Sequence, residues 1–458
     1  MKSNRSGYIT SSIQVFCATL ILCSLGFHNR YPFVYSDTGT YIYTGFTGEV
    51  PDDRTVFYGL FLRHMSLGVS PWLVIVAQGV LVAWTMYGVM GIFMDDRKRR
   101  SIFLPMVILL TLGTGISYNV SILIPDIFTG MGILAFLFIL LRRNASTVSL
   151  ALAVLIMVYA MMAHLSNLAL QLVLMLMVLL YTGVRWFRKQ SLPFTRNRIL
   201  LALSTVVSAL VLVPVLQNAL GDKFQYSGIG HVMAVNKLME VGILETFLDN
   251  ECGDGRYKMC EFKDEFGHDF LWDPQSPLYK TGGWAANRDE FEKLLADVYS
   301  RPELLSILLR KSIEYTVVQF FSFDVERPQQ YKQGSSPHHR ISERFPDTIR
   351  EYQRSLQHNG FFDPDRLNSL QRIFVFVSFG IILLLWIHGR MDPILKQGMI
   401  LLLIALIMNA MICSNLSTID FRFQNRVIWL VPFAAAVSIG QALDLLGPRR
   451  KITHEKAH

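Results

Sequence analysis

Residues 31–70 read YPFVYSDTGTYIYTGFTGEVPDDRTVFYGLFLRHMSLGVS, a polar, aromatic-rich stretch set between the first two strongly apolar runs of the chain. It holds Asp37, Asp52 and Asp53 together with Arg54 and Arg63. Flanked by membrane-length apolar runs, such a segment lies at a bilayer surface, where an ionised carboxylate is costly unless it has a partner or a task.

The rest of the 458 residues fits that frame. Hydrophobic residues make up 52% and charged residues 17%, too apolar a balance for a soluble chain of this size. Apolar runs begin near Ile9, Pro71, Ile102, Ile122, Thr147, Leu165, Ile199, Ile373, Met399 and Val427. At roughly 20 residues per crossing they predict about ten transmembrane helices in an all-α polytopic membrane protein. The first run follows Met1-Lys2-Ser3-Asn4-Arg5 without a small-residue cleavage site before the aromatic loop, so it reads as a retained helix.

The formal charge of +8 does not signal nucleic-acid binding, because Lys and Arg cluster at the ends of apolar runs. Lys2 with Arg5, Arg97-Lys98-Arg99-Arg100, Arg142-Arg143, the stretch 185–198, Arg390 with Lys396, and Arg449-Arg450-Lys451 all fall on one side if there are ten spans. That side is cytoplasmic by the positive-inside rule, which places both termini there. Residues 29–70, the turns near 119–125 and 164–167, the polar stretch 220–371 and the turn 414–426 then face outward.

Three parts follow: an N-terminal transmembrane module (1–219, about seven helices), a small, mostly helical extracytoplasmic domain (220–371), and a C-terminal transmembrane module (372–458, about three helices). About 150 residues are too many for a mere connection. Helices are predicted over 231–248, 288–299, 302–321 and 341–357, with 249–283 a loop-rich insert and 322–337 a mobile loop. Cys252 and Cys260 in the insert read as a disulfide, given an oxidising outer compartment; the alternative is two free thiols on the cytoplasmic side.

Several polar groups gather at the predicted outer face. Asp37, in Tyr35-Ser36-Asp37-Thr38, follows the first helix closely and reads either as a general base or metal ligand, or as part of a helix N-terminus. Arg54 offers a fork for phosphate, or a salt bridge to Asp52 or Asp53. Asp126 follows Pro125 at the edge of an apolar run and reads as a site residue or a helix cap. His164 and Asn167 lie at an outer turn. Arg422 and Arg426, in Asp420-Phe421-Arg422-Phe423-Gln424-Asn425-Arg426, stand where basic residues are usually depleted and would counter a lipid phosphate or pair with Asp420. No glycine-rich nucleotide loop or nucleophile elbow occurs, so no nucleotide cofactor is expected.

The order of a first helix, an outer loop with an early Asp in a Tyr-Ser-Asp setting, Asp53-Arg54-Thr55-Val56-Phe57-Tyr58-Gly59-Leu60-Phe61-Leu62, then Leu67-Gly68-Val69-Ser70-Pro71-Trp72 opening a helix that contains Gln78 resembles polytopic GT-C glycosyltransferases of bacterial type. The resemblance covers roughly the first 140 residues. Family members often carry prolines after the loop arginine, where this chain has Thr55 and Val56.

What the resemblance implies is a GT-C-like transferase of the bacterial cytoplasmic (inner) membrane. It would move a sugar from a polyprenyl-phosphate carrier to a cell-envelope glycan, lipid or protein acceptor on the extracytoplasmic side. Asp37 matches the first-loop acidic residue, which would deprotonate the acceptor or help hold a divalent cation, Mg or Mn; Asp126 matches a second acidic position, which could share that cation. Tyr35, Arg54, His64, His164, Asn167, Arg422 and Arg426 are the expected substrate-binding side chains. Two other classes fit a polar outer face: a transporter or flippase of a lipid-linked substrate, and a non-glycosyl lipid-linked transferase.

Overall fold

In a computed structural model, residues 2–254, 256–267 and 270–446 are described, and the basic cluster Arg449-Arg450-Lys451 lies outside them. Among the described residues the fold is all-helical; the one β-type feature is an isolated parallel bridge between Phe33 and Ile122. Seven helices are long and apolar enough to cross a membrane: Thr10–Asn29, Trp72–Phe93, Leu165–Phe187, Arg196–Gly221, Asp365–Ile387, Pro393–Leu416 and Arg422–Leu443.

The three other expected spans are helices of a different character. Asp96–Gly113 opens with the run Arg97-Lys98-Arg99-Arg100. Ile127–Leu141 and Thr147–Ala163 are apolar but have only 15 and 17 residues. At 1.5 Å per residue the first of these is about 22 Å long, less than the hydrocarbon thickness of a bilayer. Every residue of Ile127–Leu141 is buried, because a helix that is apolar all round belongs in the interior of a bundle. It forms the centre against which the neighbouring helices pack.

The basic clusters gather at one end of this bundle. Arg198 donates to the Arg143 carbonyl (3.2 Å), Gln14 to that of Arg100 (2.6 Å), and a Cβ on Gly91 would meet the guanidiniums of Arg99 and Arg142. The loops of interest lie at the other end.

There the first loop is built into the protein. The Phe33 amide donates to the Ser121 carbonyl (2.8 Å) and the Leu123 amide to the Phe33 carbonyl (2.9 Å). Gln357 brackets Val34, accepting its N–H (3.0 Å) and donating to its carbonyl (2.7 Å). The loop then forms helices Ser36–Thr47 and Phe57–Ser66, which cross at Gly45 and Gly59. A Cβ on Gly45 would lie 2.1 Å from the Gly59 carbonyl oxygen, so only glycine permits this approach. Gln78 holds the next layer, accepting from the buried Tyr58 hydroxyl (2.8 Å) and donating to the Val120 carbonyl (2.7 Å).

The polar stretch 220–371 divides between two cores. A separate core contains Ile229, Val235, Leu244, Phe247, Phe291 and Leu304, with the Cys252–Cys260 disulfide on its flank. Beyond Phe321 the chain rejoins the main core through Phe323, Val325, Ile341, Phe345, Tyr352 and Phe362. The expected helix 231–248 is two, Gly230–Glu240 and Ile243–Glu251, because Gly242 takes a left-handed turn (φ 73°) between them. That at 341–357 begins earlier, as Ser336–Arg344, and is interrupted at Pro346, whose ring cannot continue a helix. The segment expected as a mobile loop is extended and pinned: the Asn368 side chain bonds both the N–H and the carbonyl of Val325 (2.7 and 2.9 Å).

Candidate functional site

At the end of the bundle opposite the basic clusters, four segments distant in sequence meet through their charges. Asp37 stands in the first turn of Ser36–Thr47. One of its carboxylate oxygens takes an ion pair from Arg54 (3.0 Å) and the other a hydrogen bond from Arg422 (3.2 Å). Arg422 also lies 3.5 Å from Asp126 through Nε. Arg426, one turn along the same helix, donates to Asp126 Oδ1 (3.2 Å), Ser166 Oγ (2.9 Å) and Asn409 Oδ1 (3.1 Å). The Phe33 and Ile122 pairing explains the meeting, since it fastens the chain four residues before Asp37 to the chain four residues before Asp126.

Local structure aims each group. Asp126 occupies the N-cap position of Ile127–Leu141, yet its side chain makes no capping bond and turns to the arginines instead. Asp420 Oδ1 accepts the Arg422 amide (2.8 Å) and fixes the start of helix Arg422–Ile428. The Arg422 guanidinium lies 4.5 Å from the Tyr35 ring centre, and that of Arg54 5.3 Å from Tyr41. Arg54 is further held by Asp53, at 2.8 Å from Nε. Cation–π contact of this kind orients a guanidinium without using its donors.

Electrostatics follow from these neighbours. Burial alone would raise the Asp37 carboxyl, but Arg54 and Arg422 outweigh it and hold the group below the usual carboxylate range. His164, in the turn between Thr147–Ala163 and Leu165–Phe187, is pulled well below the ordinary histidine value by burial and by Arg426, Arg422 and Arg54. It is therefore neutral near pH 7, and its Nδ1 pairs with Ser166 Oγ (2.8 Å), which in turn receives Arg426.

The structure thus brings Tyr35, Asp37, Arg54, Asp126, His164, Arg422 and Arg426 into one network. Asn167 sits beneath it, accepting from Thr129 Oγ1 (2.7 Å) and donating to the Ala160 carbonyl (2.9 Å). His64 is elsewhere: it lies exposed on helix Phe57–Ser66 with Nδ1 2.6 Å from the Leu60 carbonyl of its own helix. Residues not singled out from the sequence complete the site. Asn409 and Cys413 on Pro393–Leu416 contact Arg426, and a polar Asn in an apolar run is a signal that could have found the first.

Glu326, in the extended segment, is a further carboxylate beside Arg422 and Asp420. Its Oε2 is buried without a hydrogen-bond partner, and burial, then Asp420, raise its proton affinity against the pull of Arg422. No sequence signal marks it.

The donor set does not suit a divalent cation as arranged. Arg422 stands between Asp37 and Asp126, and both carboxylates are already engaged by guanidiniums. No group of three or more His, Cys, Asp or Glu side chains placed to hold a metal occurs among the described residues. The chemistry available is that of an anion site instead. Arg54 and Arg422 keep 18 and 17% exposure, so theirs are the guanidiniums that an incoming oxyanion can reach. Comparison with family models, with curated proteins and with solved structures finds no match to this chain.

Proposed function

We propose that the protein is a membrane glycosyltransferase that takes a sugar from a polyprenyl-phosphate carrier and passes it to a hydroxyl-bearing acceptor at the membrane surface. The observation that carries this reading is the convergence of Arg54, Arg422 and Arg426 with Asp37 and Asp126 at one end of an apolar helical bundle, with Arg54 and Arg422 still partly exposed.

In the reaction the acceptor oxygen attacks the anomeric carbon while the bond from that carbon to the phosphate oxygen breaks. Its electron pair leaves with the polyprenyl phosphate, whose charge the partly exposed Arg422 and Arg54 guanidiniums stabilise. The hydroxyl proton passes to the Asp37 carboxylate. Because two arginines lower its basicity, Asp37 accepts the proton late, when the forming bond has made the hydroxyl acidic. Attack opposite the leaving phosphate inverts the anomeric centre.

Arg99, Arg142, Arg143 and Arg198 at the opposite end support placing that end in the cytoplasm and the site outside. An outward site also suits a lipid-borne donor rather than a nucleotide sugar.

The test is transfer in proteoliposomes from a panel of radiolabelled polyprenyl-phosphate hexoses to soluble glycan acceptors. Asp37→Asn removes the proton acceptor with little change of shape, and transfer by wild type but not by this variant is expected. Undiminished transfer by Asp37→Asn would remove Asp37 from the mechanism.

A further inference from the structure

Helix Pro302–Phe321 joins the separate core to the main one, and its two halves differ in chemistry. The first thirteen residues carry Glu303, Ser306, Arg310, Lys311 and Glu314, with Lys311 and Glu314 paired at 3.0 Å. After Glu314 the sequence is Tyr315-Thr316-Val317-Val318-Gln319-Phe320-Phe321, without a charge.

The polar groups of that half are satisfied inside the protein. The Tyr315 hydroxyl donates to the Glu240 carbonyl (3.1 Å) and Thr316 Oγ1 to the Ser312 carbonyl (2.7 Å). Gln319 both donates to the Asp420 carbonyl (2.8 Å) and accepts its N–H (3.0 Å). Apart from Phe320, which packs on the main core, its apolar groups are only partly covered: Val317, Val318 and Phe321 are 53, 48 and 58% exposed, and the row begins in the first half, between its charges, with Leu309 and Ile313 (65 and 61%).

This bare face continues into surface that belongs to candidate spans. The helix packs on Pro393–Leu416, where Asn415 Nδ2 donates to Thr316 Oγ1 (3.3 Å), and Leu416 and Phe421 beside it are also exposed. Below Phe323, Phe376 and Val377 of Asp365–Ile387 extend the same apolar surface. A surface shared with membrane-crossing helices meets the same solvent that they meet.

We infer that the C-terminal half of helix Pro302–Phe321 is embedded among lipid acyl chains and moors the 229–308 unit to the bilayer beside the arginine site. Residues 315–321 span about 10 Å along the helix, the depth to which interfacial helices enter the boundary between headgroups and chains. Arg310, exposed at the polar half, then sits at headgroup level, where its cation meets lipid phosphate. The inference is independent of the chemistry proposed for the site.

The experiment uses the full-length protein in phosphatidylcholine vesicles containing a phospholipid with a photoactivatable diazirine on its acyl chain, followed by proteolysis and mass spectrometry. Adducts on residues 313–321 at levels comparable to those on 373–384, and at least tenfold fewer on 302–306, are expected. Absence of adducts from 313–321 while 373–384 is labelled would overturn the inference, since the face would then be covered by protein or water. Even labelling along all of 302–321 would also overturn it, because the helix would lie wholly within the hydrocarbon.

Discussion

The charged network has two halves that look alike on paper and differ in their surroundings. Arg426 and Asp126 are almost wholly enclosed, with 0 and 2% of their side chains exposed. Arg54, Arg422 and Asp37 form similar pairs yet keep 18, 17 and 23% exposure. Enclosed charges depend on each other for stability, because neither can turn to water if the other is lost. The half-open pairs can exchange a protein partner for a ligand, so the enclosed half is the foundation and the open half the working surface.

Breaking the enclosed half has the largest expected effect. Asp126→Ala or Arg426→Leu leaves one buried charge unpaired and is expected to cost about 3–5 kcal/mol, seen as loss of monodisperse protein or a large fall in Tm. Cys252→Ser with Cys260→Ser should cost about 2–3 kcal/mol, confined to the 229–308 unit. Proteolysis within 249–283 should accelerate while ligand binding at the arginine site is kept. Gly59→Ala inserts a methyl 2.7 Å from the Tyr41 carbonyl oxygen and 2.8 Å from the Gly45 nitrogen. Forcing the two loop helices apart should cost about 1–3 kcal/mol and displace Asp37 from Arg422, which a Tm scan together with transfer activity would reveal.

On the open side, Asp37→Asn should change stability by under about 1 kcal/mol while abolishing transfer. Its pH signature is smaller and sharper. A carboxylate held below its usual range stabilises the fold at pH values above about 4, and that contribution disappears as the pH falls through its folded value. Wild type should thus lose stability on acidification below about pH 4 more steeply than Asp37→Asn, a difference readable in parallel thermal scans.

Much of this arrangement was legible in the sequence, for a definable reason. Asp37, Asp126, Arg422 and Arg426 are charged residues at the edges of apolar runs, positions where the cost of burial singles them out. Alternation of the ten spans expected from the sequence would put those edges at one end without any knowledge of packing. What remained hidden depends on contacts between distant segments. Arg422 occupies the space between the carboxylates that a shared cation would need, and residue type does not reveal that position.

Glu326 lies in a Gln- and Pro-rich segment that reads as loose, whereas Asn368 and Gln371 tie its neighbours into the core. His64 follows Arg54 closely in sequence but is carried to an exposed face by the helix between them. The division of 220–371 is hidden for the same reason: buried residues such as Phe323 and Leu304 look alike until their partners are known.

The central claim, that the open half of the network receives a lipid phosphate, is tested most directly by binding of polyprenyl monophosphate to purified protein. Wild type should bind it, Arg422→Gln should weaken binding at least tenfold with Tm little changed, and polyprenol without the phosphate should bind poorly to both. Equal binding of monophosphate by wild type and Arg422→Gln, or equal binding of monophosphate and polyprenol by wild type, would contradict the account.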